Sequence, residues 1–466
     1  MLVVLATNDW QKGGSLLKSL LSCKSSVIRE VSAKRSEQIA NYRFLNNAKV
    51  KEEELIQELT QECSQRVKGL HVLCIQDTSE INLESHRGRL KEDSGLGLVG
   101  NNRDLGFFIH PTLVIDAERN HVKGFSHVKI WHRPLDKQDK HERNYKDLPI
   151  EEKESYKWIE SSQRSKSLLS EAKLITIIED REGDIYEQFA TIPDERVNLL
   201  IRSTRDRSIK EEGGLYKYLS SQEIKGNYKL KISGDIRSNR EKREAEISIR
   251  FCNVTIKRPK HNKNKELPES LCLSAVEAVE LNPPQGQRPI HWRILTTHKV
   301  TNFNQARQII EWYKQRWNIE QVFRLLKHKG LRIEDSELES GWAIRKLTVM
   351  LLSTVLKILQ MSLTLHETSK TNSQKIIDVF NEEEVKCLKQ LNKEYEGRTE
   401  KQKNKNRTGS LRWATWIIAR MGGWKGYSSQ HPPGVLTLKW GLETFYDIYF
   451  GWRLARKATS KNVYTQ

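Results

Sequence analysis

From Tyr313 to Lys327 the chain reads as one amphipathic helix whose polar side is more distinctive than its apolar side. Tyr313, Arg316, Glu320 and Lys327 project at roughly 0°, −60°, −20° and −40° about the axis, at about 100° per residue, so all four share one narrow stripe. The opposite side carries Ile319, Val322, Phe323, Leu325 and Leu326. Such a helix must lay its back on a core and offer its stripe to a cleft. A carboxylate ringed by two cations and a phenol suits a metal ion, a phosphate, or both.

The surrounding sequence predicts a core for this helix to lean on. At 466 residues the chain is long enough for two to four domains. Apolar spacing through Leu16, Leu17, Leu20 and Leu21, and again through Ile39, Tyr42 and Phe44, predicts a helical module over residues 1–68. From His71 short β-rich runs follow, HVLCIQD, FFIHPTLVID and HVKGFSHVKIWHR, which read as adjacent antiparallel strands. A helix opened by Pro149, with Glu151, Glu152 and Glu154 in its first turn, is expected to run toward Ala172. The apolar strand Leu174–Ile178 comes next and ends in acidic EDREGD; Leu199–Ile201 is one more strand. Residues 206–290 alternate polar and apolar segments dense in Lys and Arg and read as a β-rich insertion, with KRPKHNKNK (257–265) as a solvated loop. A strand at Trp292–Leu295 precedes the striped helix, and residues 331–466 read as helical with a tryptophan-rich end.

Composition narrows the partner. Seventy-nine Lys and Arg against 60 acids give a formal charge of +19, and there are 12 tryptophans. Basic surface with flat rings favours nucleic acid. Cys23, Cys63, Cys74, Cys252, Cys272 and Cys387 contain no C-x-x-C pair, which argues against a zinc site or a secreted disulfide framework and fits a reducing cytoplasm. The longest apolar stretch, Leu347–Leu363, is interrupted by Lys357 and Gln360 and reads as a buried helix rather than a membrane span.

Asp77 directly follows HVLCIQ, and Asp180 stands just after the run LITII. Each therefore sits at the C-terminal mouth of a predicted strand. If those strands are neighbours and the helix crosses them, Asp77, Asp180 and Glu320 form an all-oxygen cluster suited to magnesium or manganese. A pair of such ions about 4 Å apart activates a nucleophile and stabilises a leaving oxygen, which is phosphoryl-transfer chemistry. Asp116 competes with Asp77, and Glu182 and Asp184 compete with Asp180; the preferred pair comes first after each apolar run.

These residues resemble the insertion sequence 4 family of cut-and-paste DDE transposases, the family of the transposon 5 enzyme. The stripe matches its Y-x-x-R-x-x-x-E-x-x-x-x-x-x-K signature without a gap, and IQDTS (75–79), EKESYKW (152–158), DREGDIYE (180–187), ELNPPQG (280–286) and the LRWATWIIARMGGWKGYSSQHPPGVLTLKWG segment stand in the family's order. The likeness runs from about Tyr42 to the end. It implies an α/β fold: an RNase H-like mixed-sheet core over residues 69–205 and 291–330, split by the β-rich insertion 206–290. It further implies an N-terminal helical DNA-binding domain over 1–68 and a mainly helical C-terminal dimerisation domain over 331–466.

By the same resemblance Asp77, Asp180 and Glu320 are the catalytic, metal-binding triad for two Mg2+ (or Mn2+) ions per active site. Tyr313, Arg316 and Lys327 contact the transposon-end backbone, Trp292 stacks on a base flipped near the cleavage point, and Arg202 is a further phosphate contact. The implied activity is hydrolysis at the element's end, hairpin formation, hairpin opening and strand transfer into target DNA. The implied partners are double-stranded DNA, as terminal inverted repeats and target, and a second copy of the chain in a synaptic homodimer, in the bacterial cytoplasm at the nucleoid and away from membranes. Trp413, Trp416, Trp424 and Trp440 are expected to be packing or interface residues. One departure stands at the start, where MLVVLATNDWQKGG replaces the family's acid-and-arginine pattern. It leaves open a truncated start or a decayed copy. Two other functional readings stay beside the transposase: an RNase H-like nuclease without strand transfer, and a catalytically silent DNA-binding inhibitor.

Overall fold

The computed structural model describes residues 8–462 apart from 23, 92, 136–147, 233–240, 288, 328, 366–373 and 428–429, so Cys23 and the opening MLVVLAT lie outside the described residues. Four helices come first: α1 (Asn8–Leu20), α2 (Ile28–Val31), α3 (Arg35–Asn46) and α4 (Glu52–Gln65). Then follow β1 (His71–Gln76), β2 (Ser79–Asn82), β3 (Gly97–Leu98), β4 (Leu105–Asp116), β5 (Val122–Trp131), α5 (Tyr156–Leu168), β6 (Leu174–Glu179), α6 (Tyr186–Thr191), β7 (Val197–Arg202) and α7 (Leu215–Ser220). The chain continues through β8 (Gly226–Ile232), β9 (Arg243–Lys257), β10 (Ser270–Leu281), β11 (His291–Thr296), α8 (Phe303–Lys314) and α9 (Trp317–Leu326). It ends with α10 (Gly341–Thr364), α11 (Glu382–Tyr395), α12 (Leu411–Met421) and α13 (Val435–Asn462).

One mixed sheet of 11 strands organises the chain, in the order β2-β4-β1-β6-β7-β11-β10-β9-β8, with β3 and β5 also paired to β4. β1, β6 and β7 run parallel at its centre, β4 runs antiparallel to β1, and β11 antiparallel to β7. The parallel strands are the apolar runs of the sequence because helices cover both of their faces. Leu73, Ile75, Ile178, Leu200 and Ile294 join the cluster that includes α8, α9 and α10 residues, while Val72, Cys74, Ile175, Ile177, Leu199 and Ile201 face α5, α6 and α7. The stretch read as an insertion forms α7 and β8–β10, and its long hairpins extend the same sheet edge to edge rather than standing apart.

The expected helix from Pro149 departs from its prediction. Ile150–Glu152 make a short 3-10 turn, and α5 starts only at Tyr156. Glu154 turns away to form a two-pronged ion pair with Arg133, at 2.8 and 3.0 Å through Nη2. An acid committed to a neighbour in this way does not serve as a first-turn dipole partner.

α10 is long and apolar enough to cross a membrane by length and composition, yet 89% of its most apolar window is buried inside the protein. Its polar interruptions are fasteners. Arg345 clasps Glu52 of α4 through two bonds of 2.7 Å, and Lys346 Nζ donates to the carbonyls of Leu45 and Asn47. Lys357 Nζ lies 4.2 Å from the Phe380 ring centre and donates to Tyr446 Oη at 2.6 Å, binding α13 to α10. Each buried cation thus finds anions, carbonyls, a hydroxyl or a ring, as burial requires.

Candidate active site

β1 and β6 pair with Ile75 opposite Ile178, and continuing that register by two residues puts Asp77 opposite Asp180. Side chains alternate along a strand, so both aspartates project to the face covered by α9, while Gln76 and Glu179 project to the α5 face. Arg202 and Trp292 share the α9 face, by the same alternation from Ile201 and Leu295, which face the other way.

The predicted single helix is two. Backbone N–H groups of Gln315, Arg316, Asn318 and Ile319 bond carbonyls three residues back, so α8 and α9 meet in a tightened turn at Gln315 and Arg316. Tyr313, Arg316 and Glu320 still converge across this break. Tyr313 Oη donates to Asp180 Oδ1 at 3.0 Å. Arg316 donates to Asp77 Oδ2 at 3.1 Å and to Glu320 Oε1 at 2.5 Å, so one guanidinium spans two of the three carboxylates. Arg202 Nη1 lies 3.9 Å from Asp180 Oδ1, and the Trp292 ring meets Tyr313 edge-on with centroids 5.7 Å apart.

Lys327 parts from the group. α9 ends at Leu326, Lys327 takes extended backbone, and its Nζ reaches Glu334 at 3.6 Å. The structure therefore gathers Asp77, Asp180, Glu320, Tyr313, Arg316, Arg202 and Trp292, and leaves Lys327 beside a different carboxylate.

The competing acids are spoken for. β4 runs against β1, so Asp116 stands opposite Val72 at the far end of the sheet, where it accepts the Glu118 and Arg119 N–H groups and meets Lys123 at 3.5 Å. Asp184 is buried against Arg207 and accepts the Thr204 N–H at 2.9 Å. Glu182, largely exposed, meets Lys157.

Negative charge predominates where the three carboxylates meet. Burial, with the charges of Asp180 and Glu320, pushes Asp77 up to about 6 against the opposing pull of the Thr78 N–H and Arg316. Burial works against the Arg316 charge, but the surrounding Tyr313, Asp180, Glu320 and Asp77 outweigh it and hold its pKa above the ordinary value. Burial, and then the Asp180 charge, likewise raise the Tyr313 phenol, which stays a donor.

The donors are hard oxygens carrying excess charge, which is the chemistry of a Mg2+ or Mn2+ site. Among the described residues, no three His, Cys, Asp or Glu side chains converge closely enough to grip an ion as they stand. Arg316 occupies the position between Asp77 and Glu320, so a metal ion there would require its guanidinium to move aside.

Two features at the mouth were not singled out from the sequence. Trp317, beside Arg316 at the start of α9, is 55% exposed, unusual for so large a ring. Its signal was present: it falls off the apolar back of the helix. On the α5 side a groove of about 1300 Å³ opens next to Thr78 and Arg181, lined also by Lys157, Arg205 and the KRPKHNKNK residues Pro259, His261 and Asn262. Of the terminal tryptophans, Trp413 and Trp416 are buried, whereas Trp440 is 48% exposed.

A cryo-EM structure of a piggyBac transposase synaptic complex with hairpin DNA aligns over 79% of this chain and 70% of its own, with 9% identity and a TM-score of 0.36, a likeness too remote to argue from. Residues 160–356 match the transposase DDE domain family, a stretch that holds Asp180, Glu320 and the whole Tyr313–Lys327 signature, and that match supports a DNA transposase of the DDE type.

Proposed function

We propose that this chain is a cut-and-paste transposase of the insertion sequence 4 kind, akin to the transposon 5 enzyme, with an RNase H-like core whose Asp77, Asp180 and Glu320 hold two Mg2+ or Mn2+ ions. The observation that carries the reading is Arg316, a guanidinium spanning Asp77 and Glu320 within a surplus of carboxylates. The ions would supply a lowered pKa for the attacking water or 3′ hydroxyl and charge neutralisation at the leaving oxygen. The protein's own part is positioning. Arg316 turns its planar fork from the carboxylates to a backbone phosphate, Arg202 adds a second cation beside Asp180, and Tyr313 donates its phenol proton to Asp180 or to a phosphate oxygen. Trp292 and the exposed Trp317 offer flat faces for a base drawn from the duplex. Lys327 acts at a neighbouring phosphate once released from Glu334, as a point charge rather than a fork.

The C-terminal helices are assigned the dimer contacts of a synaptic complex, and the N-terminal helices part of the reading of the element's end. The test is incubation of the full chain with its own element's terminal repeats and Mg2+. Excision followed by joining to a target supports the transposase. Cleavage without joining identifies a nuclease, and binding without cleavage identifies a silent inhibitor; either outcome overturns the reading.

A further inference from the structure

Beneath the two aspartates, on the opposite face of the sheet, lies a polar cluster that the chemistry above does not use. Gln76 and Glu179 immediately precede Asp77 and Asp180, and both are 0% exposed. The Ser162 hydroxyl of α5, also fully buried, lies between them. It accepts a hydrogen bond from Gln76 Nε2 at 2.9 Å and another from Gln188 Nε2 at 3.1 Å. Its single proton goes to the Trp158 carbonyl at 2.8 Å, with Glu179 Oε1 within 3.3 Å. Gln188 donates in turn to Glu179. On the β1 side the chain continues: Gln76 Oε1 bonds His110 Nε2 at 3.1 Å, His110 Nδ1 bonds the Thr78 hydroxyl at 2.8 Å, and the Thr78 N–H donates to Asp77 Oδ1 at 2.8 Å. On the β6 side a Cβ at Gly183 would collide with the Glu179 carboxyl, so the glycine of DREGD lets the loop after Asp180 close over this cluster.

Parallel strands leave their last residues beyond the ladder, and here the last paired residues of β1 and β6 are Ile75 and Ile178. Asp77 and Asp180 themselves lie beyond the last paired residues of these strands. The cluster supplies what the ladder does not. Glu179 Oε2 and Gln188 Oε1 have no hydrogen-bond partner among the described residues, but the bonds among Gln76, Ser162, Gln188 and Glu179 Oε1 favour one arrangement, because a slip would leave further donors or acceptors unpaired in an apolar surround.

We propose that Ser162 is a positioning residue which, through Gln76 on one side and through Gln188 to Glu179 on the other, ties the ends of β1 and β6 together and sets the spacing of Asp77 and Asp180. This rests on the reading of those aspartates as metal ligands. Side chains that orient ligands from behind typically change metal affinity about 10–100-fold when removed.

Ser165 provides an internal control. It is equally buried on the same helix, one turn on from Ser162, and bonds Ser126 of β5 at 2.8 Å instead of Gln76 or Gln188. The experiment measures Mn2+ binding to the full chain through the electron paramagnetic resonance signal of the free ion, alongside thermal melting. Ser162→Ala is expected to weaken Mn2+ binding about tenfold, Ser162→Thr to restore it, and Ser165→Ala to leave it unchanged while lowering the melting temperature by a similar amount. Gln76→Leu severs the tie at β1 without touching α5 and is expected to reproduce the Ser162→Ala loss. Wild-type Mn2+ binding in both Ser162→Ala and Gln76→Leu overturns the proposal, as does an equal loss in Ser165→Ala. Asp180→Ala separates the two readings: if it also binds Mn2+ like wild type, the metal assignment fails and the positioning role with it. If it abolishes binding while Ser162→Ala does not weaken it, only the positioning role fails.

Discussion

Two charge clusters sit on neighbouring parts of the sheet with opposite balances. At the mouth of β1 and β6 three carboxylates surround Arg316, with Arg202 at the margin. On β10 a single carboxylate, Glu277, collects three bases: His291 at 2.8 Å, Arg293 at 2.9 Å and Arg250 at 3.4 Å. Burial raises both acids, yet the Glu277 pKa ends below its ordinary value because His291 and Arg293 outweigh burial, while Asp77 ends near 6. The Glu277 cluster is satisfied and structural. The Asp77 cluster is short of positive charge, and that deficit is what a metal ion or a phosphate-borne metal pair would relieve.

The contrast breaks first under Asp180→Ala. Removing a carboxylate proposed to hold metal is expected to lower end cleavage on the order of a thousandfold, about 4 kcal/mol of barrier, while the melting temperature holds. Glu320→Ala is expected to match it, measured as nicking of a labelled transposon end in Mg2+. If either variant cuts at wild-type rate, the carboxylate surplus has no catalytic meaning.

Glu277→Gln probes the other cluster with stability as the readout. Glu277 is 1% exposed, and its loss strands two partly solvated guanidinium groups and the His291 ring. A cost of about 3 kcal/mol is expected at pH 7, the lower end for a broken buried pair because the partners retain some water. The sign follows from the depressed pKa: the contribution is complete above the unfolded value of about 4.5 and disappears as pH falls through the lower folded value. The wild-type and variant melting temperatures therefore converge in acid, and a constant gap down to pH 3 would show that charge is not the cause.

Asp77→Asn is expected to act in the opposite direction. Its folded pKa, about 6, lies above the ordinary 3.8, so ionised Asp77 destabilises the metal-free fold at neutral pH. Neutralising it should stabilise the protein by about 3 kcal/mol at pH 7.5. The advantage shrinks as pH drops through 6 and is gone near 4, where wild-type Asp77 is protonated too. Melting in chelator at pH 7.5 and 4 checks this. A variant less stable than wild type at pH 7.5 would mean that Arg316 already compensates the site fully.

The two clusters also differ in how far they can be seen from sequence. The aspartates were legible because an apolar run followed by an acid marks a buried strand and its mouth, and the Tyr, Arg, Glu spacing survives either as one helix or as two. The break at Gln315 and Arg316 was not, since neither Gly nor Pro announces it, nor was the departure of Lys327 from the stripe, where α9 has ended and Glu334 arrives from a later 3-10 turn. Glu277 could not be recognised at all, because its partners meet it only through the register of β9, β10 and β11. The buried serines of α5 escaped for a related reason: SSQRSKS reads as a wet face until Gln76, Glu179 and Ser126 are found opposite it.

The smallest expected effect joins the two clusters. His291 and Arg293 both turn to Glu277 on one face of β11, and Trp292 between them turns to the other, where its ring meets Tyr313. Glu277 thus anchors the strand that presents Trp292 to the site. If Trp292 stacks on a base drawn from the duplex, it serves the step in which the freed 3′ hydroxyl must reach the opposite strand, not the first attack by water. Trp292→Ala is expected to lower hairpin yield about tenfold relative to first nicking, consistent with the 1–3 kcal/mol that a stacked base contributes. Glu277→Gln should show a weaker version of the same bias, since it loosens the strand and leaves the ring. Equal loss of nicking and hairpin formation in Trp292→Ala would make the ring a packing residue for Tyr313 and confine the role of Glu277 to stability.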